Sequence, residues 1–165
     1  MIDLLQRLLA ITLLRSAPQD LPAGGTVTLI CLGLYVLVTS ISLVTSQPPD
    51  NPVVVMTLAL AVPLILSRII LIAAGKVARW GQTVSALFGT SAVLSALSLP
   101  FGLTANGQPS AFTGLFLVLL FFWSLAVNGH IWRHALEISF GGGLAISVVT
   151  FAATLFVINA LTGSL

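Results

Sequence analysis

Charge is almost missing from this chain. Among 165 residues there are only six Lys or Arg and four Asp or Glu, whereas soluble domains carry roughly a quarter charged residues because their surface must face water. So few charges could not clothe a water-soluble globule of this length, and the mean hydropathy of +1.14 is that of a solute whose solvent is lipid. Cysteine is nearly absent too. The lone Cys31 excludes an intramolecular disulfide and any multi-cysteine metal site, and inside an apolar run it reads as a small buried hydrophobe. The slight basic excess contains no Lys/Arg run, so no nucleic-acid footprint is expected.

Recognisable catalytic equipment is missing as well. There is no phosphate-cradling glycine loop before a Lys-Ser/Thr pair, no Gly-x-Ser-x-Gly and no His-Glu-x-x-His. Intramembrane proteolysis needs an Asp pair or a buried Ser and His. A proton-coupled carrier uses acidic residues at mid-membrane, yet Asp3, Asp20, Asp50 and Glu137 all fall outside the apolar segments. The expectation is a protein without enzymatic activity and without a cofactor.

What the sequence does have is long apolar runs. Five are read as transmembrane helices, at about 26–45, 52–74, 83–100, 112–128 and 140–161. Each is close to the ~20 residues that a ~30 Å hydrocarbon core requires at ~1.5 Å per residue. Lipid-exposed strands would leave backbone groups unpaired, and these runs lack the alternation of a closed barrel. The fold class expected is all-α: a polytopic integral membrane protein with five transmembrane helices over 26–165. Gln47-Pro48-Pro49-Asp50-Asn51-Pro52 reads as a stiff turn with Asn51 capping a helix that starts on proline, and Asn106-Gly107 with Pro109 and Ser110 as its counterpart before the fourth helix. Pro63 is expected to kink the second.

The first fifteen residues are apolar but broken by Asp3, Gln6 and Arg7, which share one arc at 100° per residue. That pattern predicts an amphipathic helix over 1–15 lying in the membrane interface. A secretory signal is disfavoured by Asp3, by Arg15 and by the lack of a small-x-small site. Residues 16–25, with Pro18, Pro22 and Gly24-Gly25, read as a linker.

The cations set an orientation. Arg7, Arg15, Arg68, Lys76, Arg79 and Arg133 all belong to one side of a five-span layout, and the opposite loops have none. The positive-inside rule makes that side cytoplasmic, with the amino terminus inside and the carboxyl terminus outside, as in a bacterial inner membrane. Trp80 and Trp132 are expected at the inner boundary.

Lipid tails solvate leucine as well as another helix does, so helix association relies on small residues that let backbones approach. Gly81, Ser85 and Gly89 recur at four-residue spacing in the third helix, followed by Ala92 and Ala96, and this predicts a central position. Gly141, Gly142, Gly143 and Ala145 do the same for the fifth. The fourth is bulky from Leu115 to Phe122, which suits lipid or a partner's helix.

Two polar features stand out. His130, Arg133, His134 and Glu137 form a cluster in which both histidines and the glutamate fall within roughly 60° of one helix face. Such a face could bind a divalent metal or relay protons, but three ligands from one helix seldom suffice, and a solvated or headgroup-facing end of the helix is the plainer reading. Arg133 and Glu137 could also pair along the helix. Arg68 stands well within an apolar run. Such a charge is a functional candidate, although its side chain is long enough to snorkel to the interface.

An inside amino terminus, five closely spaced helices, a small-residue stretch from Gly81 to Pro100 and the Trp123 to Ser139 stretch between the last two helices resemble the Yip family of Rab-GTPase-interacting membrane proteins and its bacterial relatives. The resemblance spans about Leu4 to Leu161 and lacks the Asp-Leu-Tyr-Gly-Pro motif of eukaryotic members. It implies a membrane-organising or partner-binding protein without catalysis. The expected partners are the lipid bilayer and other membrane subunits or a second copy, with no nucleic acid. The alternative is a small membrane carrier, or a cofactor- or metal-handling protein using Arg68 or the His130/His134/Glu137 face.

Overall fold

A computed structural model describes residues 2–45, 49–104 and 110–163. The expected turn residues Gln47, Pro48, Asn106, Gly107 and Pro109 lie outside the described residues. Among those described there are only helices: α1 (Ile2–Thr12), α2 (Gly25–Thr45), α3 (Pro52–Ala73), α4 (Trp80–Thr104), α5 (Ala111–Leu136) and α6 (Phe140–Thr162), with single 3-10 turns at Pro18–Asp20 and Val77–Arg79. The helices α2 to α6 are each long and apolar enough to cross a membrane.

Helix ends follow local chemistry. Ser110 and Ser139 are N-caps whose hydroxyls accept from the amides of Thr113 and Gly142, both at 3.2 Å, which satisfies donors with no intrahelical partner. Asn51 occupies the N-cap of α3 with Pro52 as first residue, but its side chain makes no capping bond. Gly75, at φ 68°, ends α3 in the left-handed conformation that glycine adopts freely. Pro63 and Pro100 sit inside continuous helices.

The central helix is α4. Of its most apolar window 44% is buried, against 6% for each of the other four. Its small residues are the cause. Thr28 of α2 meets Ser85, Oγ to Oγ at 2.9 Å, and Ser85 donates back to the Gly81 carbonyl at 2.8 Å. Tyr35 of α2 packs edge-on to Phe88 at 5.0 Å between ring centres. At Gly89 the space for a Cβ is filled by the Leu8 methyls and by Cys31 Sγ at 3.1 Å. Ala92 is buried, while Ala96 is exposed and takes no part in the packing expected of it.

On the other side, α5 and α6 cross at two glycines. A Cβ on Gly143 would run into the Gly129 carbonyl and stand 2.8 Å from the Arg133 nitrogen, and a Cβ on Gly129 would stand 3.0 Å from Leu144 Cα. Ser147 donates across the same seam to the Leu125 carbonyl at 3.1 Å. The other residues expected at this interface do less. Gly141 has open space where a Cβ would go, Gly142 faces only its own cap residues Ile138 and Ser139, and Ala145 is exposed. A triplet of glycines has only one member per turn on the contact face, and here it is Gly143.

The structure differs from the sequence reading in three places. The fourth apolar segment was placed at 112–128, but α5 runs on to Leu136 and buries His130, Ile131, Trp132, Ala135 and Leu136. Apolar residues still recur along its inward face after Asn128, no proline interrupts them, and Gly129 serves the close contact with Leu144, so the polar residues do not end the helix. Trp132, expected at the inner boundary, is 2% exposed and packs with Leu71 of α3. Residues 16–25, expected as a linker, include buried Pro18 and Leu21. Helix α1 sets Leu8 and Ile11 into the main core with Ala86, Val127 and Ile131. Its opposite stripe, Leu5 and Leu9, continued by Leu13 just past the helix end, is exposed.

Substituting Gly143→Ala forces α5 and α6 apart and costs about 1–3 kcal/mol, as overpacking usually does, while Gly141→Ala is near neutral. Thermal melting of the two variants in detergent checks this, and equal melting points would refute the crossing.

Candidate functional site

Nearly all the chemistry-bearing side chains gather at one end of the bundle, where α1, the Pro18–Asp20 turn, the α3–α4 connector and the end of α5 meet. The centre of this cluster is the last two turns of α5. His130 is 7% exposed, and its Nε2 lies 3.0 Å from the Ser16 carbonyl. Its ring stands edge-on to His134, 4.5 Å between centres. The His134 carbonyl accepts from Gln19 Nε2 at 2.8 Å, and Gln82 of α4 donates to the carbonyls of Gln19 and Leu21 at 3.2 and 2.9 Å. These amides clip the amino-terminal segment onto α4 and α5. Within the segment, Arg7 donates to the Asp20 carbonyl. The Ser16 hydroxyl at 2.6 Å and the Ala17 amide at 2.8 Å hold the Asp20 carboxylate below its usual range. Farther along, Trp123 Nε1 donates to the Thr12 carbonyl at 3.0 Å, which satisfies an open carbonyl at the end of α1.

Glu137 leaves the face it was expected to share with the histidines. It is the C-cap of α5 at φ 59°, ψ 43°, a left-handed conformation that costs a non-glycine residue about 1–2 kcal/mol. The turn carries its carboxylate to the α3–α4 connector, where Oε2 pairs with Lys76 and Oε1 with Arg79 Nη2 at 2.5 Å. Arg79 Nη1 also donates to the last α5 carbonyls, Ala135 at 3.2 Å and His134 at 3.4 Å. A cation there complements both the open carbonyls and the negative end of the helix dipole. The expected Arg133–Glu137 pair is therefore replaced by pairing across two connectors, and Arg133 is exposed. Lys76, Arg79, Gln19 and Gln82 are the partners that sequence reasoning missed. Opposite charge on two connectors of the same end was the available signal for the first two.

Arg68 does not face an acid. Its guanidinium lies 5.2 Å from the centre of the Trp80 ring, a cation–π contact, while Trp80 Nε1 donates to buried Ser67 at 3.1 Å. Among the described residues no three His, Cys, Asp or Glu side chains come together as a metal-holding group. The arrangement can brace, cap and pair.

Comparison with protein-family models, with curated proteins and with solved structures finds no match for this chain.

The two cations move the Glu137 carboxyl from its ordinary 4.5 down to about 2, the Lys76 and Arg79 hydrogen bonds contributing most. A carboxyl lowered on folding stabilises fully above the ordinary value and loses that contribution as pH falls towards the folded one. Melting temperature should therefore fall between about pH 4.5 and 2 in the native chain, and Glu137→Gln should be less stable at neutral pH with that slope removed. A slope unchanged in the variant would show that Glu137 is not its source.

Proposed function

We propose that this chain is a non-catalytic integral membrane protein that acts by contact, as a membrane-organising or partner-binding module. The reading takes in both a Yip-like module and an accessory subunit of a larger membrane assembly. Helices α2 to α6 span a bacterial inner membrane, with the basic end and amino terminus cytoplasmic and the carboxyl terminus outside. The exposed stripe Leu5, Leu9 and Leu13 gives α1 a face for the lipid of the inner leaflet, while its other face holds the bundle.

The observation that carries the reading is the outward face of α5. Phe112, Leu115, Leu119 and Phe122 follow one stripe at helical spacing and are 59–72% exposed, a bulky continuous surface that suits a partner's helix as well as lipid. The reactive side chains give the complementary support. His130, Glu137, Arg79 and Arg68 are engaged in holding the chain's own helices, which favours a contact role over a carrier or metal-handling one built on them.

Placing a photo-crosslinking benzoylphenylalanine at Phe122 in native membranes, with Val149 of α6 as the control position, tests this. A discrete protein adduct at Phe122 alone, of the chain with itself or with another protein, is expected. Lipid adducts only, at both positions, would overturn the reading. A reporter fused at Leu165 should be found outside the cytoplasm.

A further inference from the structure

Halfway along the bundle, away from the basic end, lies a cavity of about 310 Å³ between α2, α3, α4, α5 and α6. Its wall residues Tyr35, Pro63, Ser91, Asn128 and Thr150 stand about 12–17 Å from the basic ends of their helices, at ~1.5 Å per residue. At that depth an unpaired polar group costs several kcal/mol in hydrocarbon, so the fate of each polar wall atom is informative.

Some are satisfied by the protein. Ser147 donates to the Leu125 carbonyl, Thr150 to that of Ile146 and Thr154 to that of Thr150. Ser91 and Asn128 differ: both line the cavity and stay partly accessible, and among the described residues neither the hydroxyl nor the carboxamide makes a hydrogen bond. Another open group comes from the backbone. Pro63 has no N–H, so the carbonyl four residues earlier, on Ala59, has no helical donor, and Ala59 lines this same cavity. One wall therefore offers an acceptor, and the facing walls offer a hydroxyl and an amide that both donates and accepts.

The remaining wall defines shape and charge. It includes the rings of Tyr35, Phe88, Trp132 and Phe151, and none of its residues is Asp, Glu, Lys, Arg or His. A charged occupant would have no counter-ion there. Aromatic walls favour a flat ring through offset or edge contacts. A cavity of ~150 Å³ already admits benzene, so this one has room for a substituted ring.

We infer that the mid-bundle cavity is a binding site for a neutral, lipid-soluble ring compound bearing carbonyl or hydroxyl oxygens, the quinone and quinol class, held by Asn128, Ser91 and the Ala59 carbonyl. Binding alone is assigned, with no electron transfer. The site is separate from the α5 surface, and neither stands or falls with the other.

The test uses the full chain in lipid nanodiscs titrated with decylubiquinone, oxidised and then reduced, with tryptophan fluorescence as the readout because Trp132 is in the wall. Saturable quenching is expected. Asn128→Leu should raise the apparent Kd at least tenfold, and Val149→Ala, on the outer face of α6, should leave it unchanged. A measurement on the native protein stands beside the variants: decylubiquinone should raise the melting temperature and decanol should not. Quenching that never saturates and is equal in all three proteins, or a melting shift that decanol reproduces, would mean partition into lipid only and would overturn the site.

Discussion

Close approach of backbones to α4 is the constraint from which the rest of the structure follows. Between helices of this composition there is little hydrophobic preference for one neighbour over another. What distinguishes α4 is that Gly81, Ser85, Gly89 and Ala92 leave room. Thr28 fits over Ser85, and Leu8 and Cys31 fit over Gly89. Helices α1, α2 and α5 can then share one core. The α5–α6 crossing at Gly129 and Gly143 repeats the device, and the larger wall residues between these two close contacts leave the mid-bundle cavity.

At the basic end a second rule operates: polar groups that close packing draws inward must find partners there. His130 takes the Ser16 carbonyl, Gln82 and Gln19 take carbonyls of the amino-terminal segment and of α5, and Arg79 closes the end of α5. The amino-terminal segment is therefore part of the bundle's polar accounting, beyond the contacts of Leu8 and Ile11.

The helices were legible in the sequence because length and apolarity alone decide whether a segment can cross a membrane, and small residues at four-residue spacing in 81–92 marked the central one. The end of α5 was not legible. His130, Arg133 and His134 carry the same signal whether the chain leaves the membrane or is covered by another segment, and only the fold supplies the cover. The membership of Gly143, rather than Gly141, in the crossing depends on the rotation of α6, which a run of three glycines does not encode. The Glu137 partnership was hidden for a related reason. A helical wheel places that residue beside the histidines, but the wheel ceases to apply once φ turns positive. Arg68 was read as the odd charge in an apolar run, and its contact with Trp80 requires the α3–α4 connector to fold back.

The left-handed Glu137 ties two distant hairpins together. The residue that halts α5 is a carboxylate whose partners, Lys76 and Arg79, lie 61 and 58 positions earlier. In a chain made from its amino end, those cations emerge well before the stop they help to fix. The earlier pair of helices thus presents both cations to the turn of the later pair, and that turn gains its partners only where the two hairpins stand side by side.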